Sequence, residues 1–154
     1  MCGLFGMFGN PDKGTVEAGL DRIAHRGPDG RGIYRAGDML HGHVRLSVLD
    51  LSEASNQPFH YYGNVLTYNG ELWNYQELRD TLENDVAFST SGDTEVVAAA
   101  LMMWGKNALK KMDGMFALAW SNDHSDEHFL ARDRYGKIPL YVQKNKGSFI
   151  WSSE

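Results

Sequence analysis

Met1-Cys2-Gly3-Leu4-Phe5-Gly6-Met7-Phe8-Gly9 opens the chain, and Asn10-Pro11-Asp12 follows it as a turn. Apolar residues between glycines, with no helical spacing, read as a buried strand thinned by glycine. Cys2 is the only cysteine, so an internal disulfide is excluded, as is a CxxC metal or redox pair. A single cysteine is ordinarily a small buried hydrophobe. Its place in the chain offers a second reading. Loss of Met1 would put a thiol and a free α-amine on one residue. An α-amine titrates at about 7.7 and a thiol at about 8.5, so either group can take the other's proton near neutrality. One residue then supplies both nucleophile and base. Gly3 beside it leaves room for a ligand to approach the backbone.

Working outward, Val16, Leu20, Ile23 and Ala24 fall at helical spacing over residues 15–25, and Arg26-Gly27-Pro28-Asp29-Gly30 breaks that helix into a loop. Strands are predicted over 32–34 and 39–49, with a Gly37-Asp38 turn between them, and over 65–68, ending at Asn69-Gly70. Asn74 and Glu77 have the spacing of a capping box, with Trp73 and Leu78 as its hydrophobic staple. A second helix is predicted from Ser91-Gly92-Asp93 to about Trp104, and Leu109 and Met112 suggest a further turn. The last third switches to strands over 115–120, 128–131, 140–143 and 148–152. The turns joining them are too short for crossovers, so the expected class is α+β with antiparallel sheets flanked by helices.

At 154 residues the chain is expected to form a single domain, 1–154, large enough to hold a core. Fifteen basic against twenty acidic residues leave a net charge of −5, which argues against a nucleic-acid or membrane footprint. The N-terminus lacks the basic start and apolar stretch of a signal peptide, and no run approaches the roughly 20 apolar residues that span a bilayer. With one cysteine, the expected location is the reducing cytoplasm. His41 and His43 share a strand face, but two ligands without a third do not make a metal site, and none is expected. Gly136-Lys137 lacks the spacing of a phosphate loop. Asp133 is read as an internal ion-pair or turn residue.

Seven segments stand in a telling order: the N-terminal Met-Cys-Gly-Leu-Phe-Gly, His25-Arg26-Gly27-Pro28-Asp29, Arg45-Leu46-Ser47-Val48-Leu49-Asp50, Tyr68-Asn69-Gly70-Glu71-Leu72, Ser91-Gly92-Asp93-Thr94-Glu95, Asp113-Gly114-Met115-Phe116-Ala117 and Ala131-Arg132-Asp133-Arg134-Tyr135-Gly136. In that order they resemble a class II, N-terminal cysteine glutamine amidotransferase domain, most of all the glutaminase half of asparagine synthetases. The resemblance covers nearly the whole chain. It implies the N-terminal nucleophile hydrolase fold, a four-layer α/β/β/α sandwich of antiparallel sheets. It also implies hydrolysis of L-glutamine to glutamate and ammonia through a cysteine thioester, with no cofactor.

Carried over residue by residue, the resemblance makes Cys2 the nucleophile. Arg45 would grip the substrate carboxylate through its guanidinium fork, with the backbone of Leu46, Ser47, Val48 and Leu49 along the same wall. Asp93 and Glu71 would face the substrate ammonium. The Asn69 side chain and the Gly70 N–H would form the oxyanion hole. Arg26 would set a positive charge near the thiol. Other readings of these residues stay open: a helix cap for Asp93, a hairpin turn for Asn69-Gly70, a cap on the preceding helix for Arg26, and solvent exposure for Arg45 and Glu71.

Members of this family pass ammonia to a synthetase domain, and no synthetase-type ATP-binding loop is found in this sequence. The expected partner is therefore a separate ammonia-accepting, synthetase-type protein, unless the chain is a detached domain. Two further readings are a non-catalytic glutamine-binding or regulatory module and an N-terminal cysteine hydrolase of another amide. The pairing of Arg45 with Asp93 speaks against the latter, because together they suit an amino-acid substrate.

Overall fold

The computed structural model describes residues 1–154, the side chain of Asn145 excepted. The opening stretch forms β1, Gly3–Phe8. Helix α1, Lys13–Arg22, follows, its start fixed by Asp12, whose Oδ2 accepts from Thr15 N at 2.7 Å. The α-helix ends earlier than residue 25. Residues Ala24–Arg26 tighten into a 3-10 turn ahead of Gly27-Pro28, where an α-helix cannot continue. Strands β2, Gly30–Ala36, and β3, Met39–Arg45, form the expected hairpin around Gly37-Asp38.

The predicted strand over 39–49 is cut short at Arg45 for a ladder reason. Gly3 pairs with Val44 on one side and Gly30 with Arg45 on the other, so residues beyond Arg45 have no strand to bond. A short β4, Phe59–Tyr61, is too brief to show a period in the sequence. Strand β5 runs over Asn64–Leu72, straight through Asn69-Gly70, because Asn69 and Gly70 pair with Ala117 and Phe116. The hairpin-turn reading of that dipeptide is thereby set aside.

Helices α2, Tyr75–Leu82, and α3, Asp93–Trp104, come next, then a 3-10 helix over Gly105–Lys110 and strands β6 to β9: Gly114–Asn122, Glu127–Arg132, Tyr141–Asn145 and Ser148–Ser152. The capping box is a correction. Asn74 occupies the cap position of α2, but its amide donates to Lys111 O and its Oδ1 accepts from Asp113 N, both at 2.9 Å, tying α2 to the approach to β6 instead. Trp73 stays exposed, 5.5 Å from the Lys137 ammonium, rather than serving as a staple. Asp133 caps a turn: its carboxylate accepts from the amides of Phe116, Tyr135, Lys137 and Ile138.

The strands form two antiparallel sheets, ordered β2-β3-β1-β9-β8 and β4-β5-β6-β7. Period-two alternation gives each sheet two apolar faces, and three clusters fill the three interfaces. Val16, Leu20 and Ile23 pack with Leu40 and Val44 between α1 and the first sheet. Leu4, Met39, Ala117, Ala119 and Trp151 lie between the sheets. Leu66, Tyr68, Phe116 and Leu118 meet α2 and α3 on the far side. The result is the α/β/β/α sandwich.

His41 and His43 point from β3 into the layer between the sheets and are fully buried. His41 Nε2 lies 2.6 Å from Ser121 Oγ, and His43 Nε2 donates to Tyr68 O at 3.2 Å, so that nitrogen carries the proton. Burial pushes both side chains down to about 3, well below the usual 6.5. The unfolded chain therefore binds protons near pH 6.5 that the fold refuses. Stability is complete above that pH and is lost as pH falls from about 6.5 toward 3, by at most about 1.4 kcal/mol per pH unit per histidine. Denaturant titrations from pH 7 to 5 are expected to show this slope and to show it roughly halved in His41→Gln. An identical slope in wild type and variant contradicts the assignment.

Candidate active site

Cys2 immediately precedes β1, a strand bonded on both sides, so the start of the chain is held firmly. Its carbonyl accepts from Arg26 Nε at 2.9 Å. Its thiol faces the backbone of Leu46, donating to the carbonyl at 3.6 Å and accepting from the N–H at 3.4 Å. Arg26 therefore braces the Cys2 backbone rather than only capping the helix before it, and its Nη1 lies 3.8 Å from Glu154 Oε2. Gly3 is required by packing: an added Cβ would sit 2.8 Å from Val44 Cγ2 and 2.9 Å from Ile23 Cδ1. Met1 is 56 % exposed and open to removal.

Beyond β3 the chain builds one wall of a small cleft that Cys2 also lines. Arg45 sits at its side with much of its fork already engaged. Its Nη1 donates to Ser52 O at 2.8 Å and Asn56 Oδ1 at 2.7 Å, and its Nη2 to Asp50 O. The edge formed by Nε and the remaining Nη2 hydrogen is what the guanidinium keeps for a ligand. Asp50 locks this wall to the α3 side. Its Oδ1 accepts from Ser52 N and Oγ and its Oδ2 from Ser91 N and Oγ, and these bonds hold its carboxyl far below the ordinary carboxylate range. Ser47 turns away, its N–H bonding Asp29 Oδ2 at 2.8 Å, so the His25–Asp29 loop buttresses the wall from behind.

Asp93 closes the far end. It is the first residue of α3, with Gly92 in the cap position, and its side chain does not cap the helix. Its Oδ2 accepts from Tyr68 Oη and Leu72 N, each at 3.0 Å. Burial raises its pKa, the Leu72 and Tyr68 bonds oppose that rise, and nearby Glu71 adds to it. Asn69, next to cleft-lining Tyr68, is buried, and its Nδ2 has no partner among the described residues. An orphaned buried donor implies a ligand acceptor or a water. Gly70 must be glycine here, because a Cβ would collide with the Met115 carbonyl and approach Phe116 Cα to 2.7 Å.

Cys2, Arg45, Leu46, Val48, Leu49 and Asp93 thus share one cleft, whereas Arg26, Ser47, Asn69, Gly70 and Glu71 stand outside its walls. Sequence reading passed over Asp50, Gln57 and Tyr68, which also line it. Only their tertiary partners mark them. The thiol is pushed up by burial, with Asp93 adding to the rise. The Leu46 N–H, the N-terminal ammonium and Arg45 pull the other way. Among the described residues no group of three or more His, Cys, Asp or Glu could hold a metal.

Comparison with known proteins agrees with this geometry. The family described as glutamine amidotransferase domain matches residues 1–154. The chain is 36 % identical to asparagine synthetase B [glutamine-hydrolyzing] of Escherichia coli, over 92 % of this chain and 27 % of that protein. It is 34 % identical to asparagine synthetase [glutamine-hydrolyzing] 3 of Bacillus subtilis, over 100 % of this chain and 26 % of that one. Amidase chyE of Penicillium rubens is 33 % identical over 100 % and 25 % respectively. The chain spans about a quarter of the length of the curated relatives it matches.

A half-buried thiol with its pKa raised should alkylate slowly while Met1 remains. Iodoacetamide labelling of the Met1-bearing protein is expected to reach half its maximal rate only above the ordinary thiol value of about 8.5. A half-maximum below pH 8 contradicts the electrostatics described here.

Proposed function

The chain belongs to the glutamine amidotransferase domain family, and from that premise we propose that it hydrolyses the side-chain amide of L-glutamine at Cys2. The observation that carries the reading is the shared cleft: a nucleophilic sulfur, a cation and a carboxylate all line it. Arg45 takes the substrate carboxylate along its free edge, and Asp93 Oδ1, which accepts from neither Tyr68 nor Leu72, takes the ammonium, which leaves the amide end to Cys2. Glu71 adds negative charge at the ammonium end.

Removal of Met1 frees the Cys2 α-amine, which accepts the thiol proton. The thiolate attacks the amide carbon, and charge builds on the amide oxygen; the family resemblance assigns its donors to Asn69 Nδ2 and the Gly70 N–H, which follow cleft-lining Tyr68 in the chain. The C–N bond breaks, and the nitrogen leaves as ammonia with the proton returned by the α-amine. Water then adds to the thioester, the C–S bond breaks, and glutamate and the free thiol are released. Arg26, holding the Cys2 carbonyl, keeps the nucleophile in register and contributes positive charge. No cofactor enters this balance.

The ammonia goes to a synthetase-type acceptor, in line with the names of two of the relatives, and the reaction takes place in the cytoplasm. Among the described residues no helix is long and apolar enough to cross a membrane. A glutamine-binding module without turnover is the reading left if Met1 stays in place, since its amide would block the base.

Glutamate release from glutamine is expected from protein lacking Met1 and from neither Cys2→Ala nor protein that retains Met1. Equal release by Cys2→Ala contradicts the mechanism. Asn69→Ala is expected to lower kcat about 100- to 1000-fold, the typical cost of one oxyanion donor. Asp93→Asn keeps an acceptor for Tyr68 and Leu72 but removes the charge. It is expected to raise KM for glutamine tenfold or more with little change in Tm. A Tm collapse with KM unchanged would assign Asp93 to folding alone.

A further inference from the structure

Tyr68 is the buried titratable residue in this cleft that the mechanism above does not use. Every polar group it has is engaged. Its N–H donates to Gln57 Oε1 at 2.6 Å, its carbonyl accepts from His43 Nε2 at 3.2 Å across the sheet interface, and its hydroxyl donates to Asp93 Oδ2 at 3.0 Å. Its ring packs in the cluster beneath α3, its centroid 6.5 Å from that of Phe116. The residue after it is Asn69. The backbone of Tyr68 is therefore held by Gln57 and His43, and its hydroxyl reaches a charged group of the cleft.

We infer that Tyr68 is a positioning residue for substrate recognition: its hydroxyl fixes the Asp93 carboxylate so that Oδ1 meets the ammonium of an α-amino acid. The inference rests on the reading of the cleft as a glutamine site and adds to it the group that sets its selectivity for the amine. Two donors, Tyr68 Oη and Leu72 N, converge on Oδ2, which determines the carboxylate's rotation and leaves its other oxygen for the ligand. The hydroxyl also supports the charge. Burial favours the protonated acid and Glu71 reinforces this, whereas the tyrosine and Leu72 donors favour the anion. Cys2 lies across the cleft with Arg45 beside it, and Glu71 is on β5. The phenol itself stays protonated, because burial and the Asp93 charge raise its pKa well above 10. It is thus a permanent donor.

The test is calorimetric titration of glutamine into the full chain carrying Cys2→Ala, with and without Tyr68→Phe, between pH 4 and 8. Loss of a hydrogen bond to a charged group is expected to weaken glutamine binding about tenfold. It should also move the acid fall-off in affinity to higher pH, because Asp93 protonates sooner. Site-specific 3-fluorotyrosine at position 68 keeps the ring and the hydroxyl and makes the phenol a stronger donor. It should move the fall-off to lower pH, and it decides the matter alone if Tyr68→Phe does not fold. An unchanged fall-off in both variants, even with weaker binding that tracks Tm, overturns the inference. If the protein with Tyr68 intact binds no glutamine, the amide-hydrolysis reading falls, and this inference with it. If it binds glutamine and ignores both substitutions, only this inference falls.

Discussion

A chain terminus is normally the loosest part of a domain, and in this molecule the sulfur proposed as nucleophile is at the second residue. What makes that workable is the position of β1 between β3 and β9, at the centre of its sheet. Leu4 N donates to Ser153 Oγ at 2.9 Å and Ser153 N returns a bond to Leu4 O at 3.0 Å, so the two ends of the chain clasp each other. Close packing completes the hold: Gly6 lies directly under the Trp151 ring and Gly3 against Val44. An edge strand in the same place would fray, and the thiol would sample many positions instead of one. Orientation of a nucleophile is worth several kcal/mol only when it is prepaid in this way by the fold.

The rest of the cleft depends on where strands end. The chain leaves the ladder at Arg45, and its next residues supply the backbone that faces the thiol. Polar side chains then fix that irregular segment at both margins: Asp29 holds Ser47, Arg45 holds the carbonyls of Asp50 and Ser52, and Asp50 reaches Ser91. The two sheets are joined at the same level by His43 and the Tyr68 carbonyl. Cys2, just before β1, and Arg45 thus belong with the first sheet, whereas Tyr68, which holds Asp93 at the start of α3, belongs to the second, and the interface between the sheets relates the two groups.

Much of the fold was legible because local rules dominate there. The late strands announce themselves by alternation and short turns, and α3 by its long apolar run. Where tertiary bonding overrides a local rule, the reading failed. Asn69-Gly70 has the composition of a turn but is kept extended by nine residues of pairing with β6. Asn74 has the spacing of a capping box, yet Lys111 and Asp113 offer its side chain better partners. The site follows the same division. Cys2, Arg45 and Asp93 were reached through the order of short motifs. Asp50 and Tyr68 were not, because their roles exist only in bonds to Ser91 and Asp93, 41 and 25 residues away.

The proposed hydrolysis requires one sulfur, freed of Met1, facing the cleft that Arg45 and Asp93 also line. The measurement that reaches this most directly is peptide mapping by mass spectrometry after the processed protein is treated with an electrophilic diazoketone analogue of glutamine. The proposed chemistry predicts one adduct per chain, on a Cys2 that is the first residue, with labelling slowed by added glutamine. A chain that keeps Met1 and takes no adduct, or an adduct whose rate glutamine does not change, would contradict it.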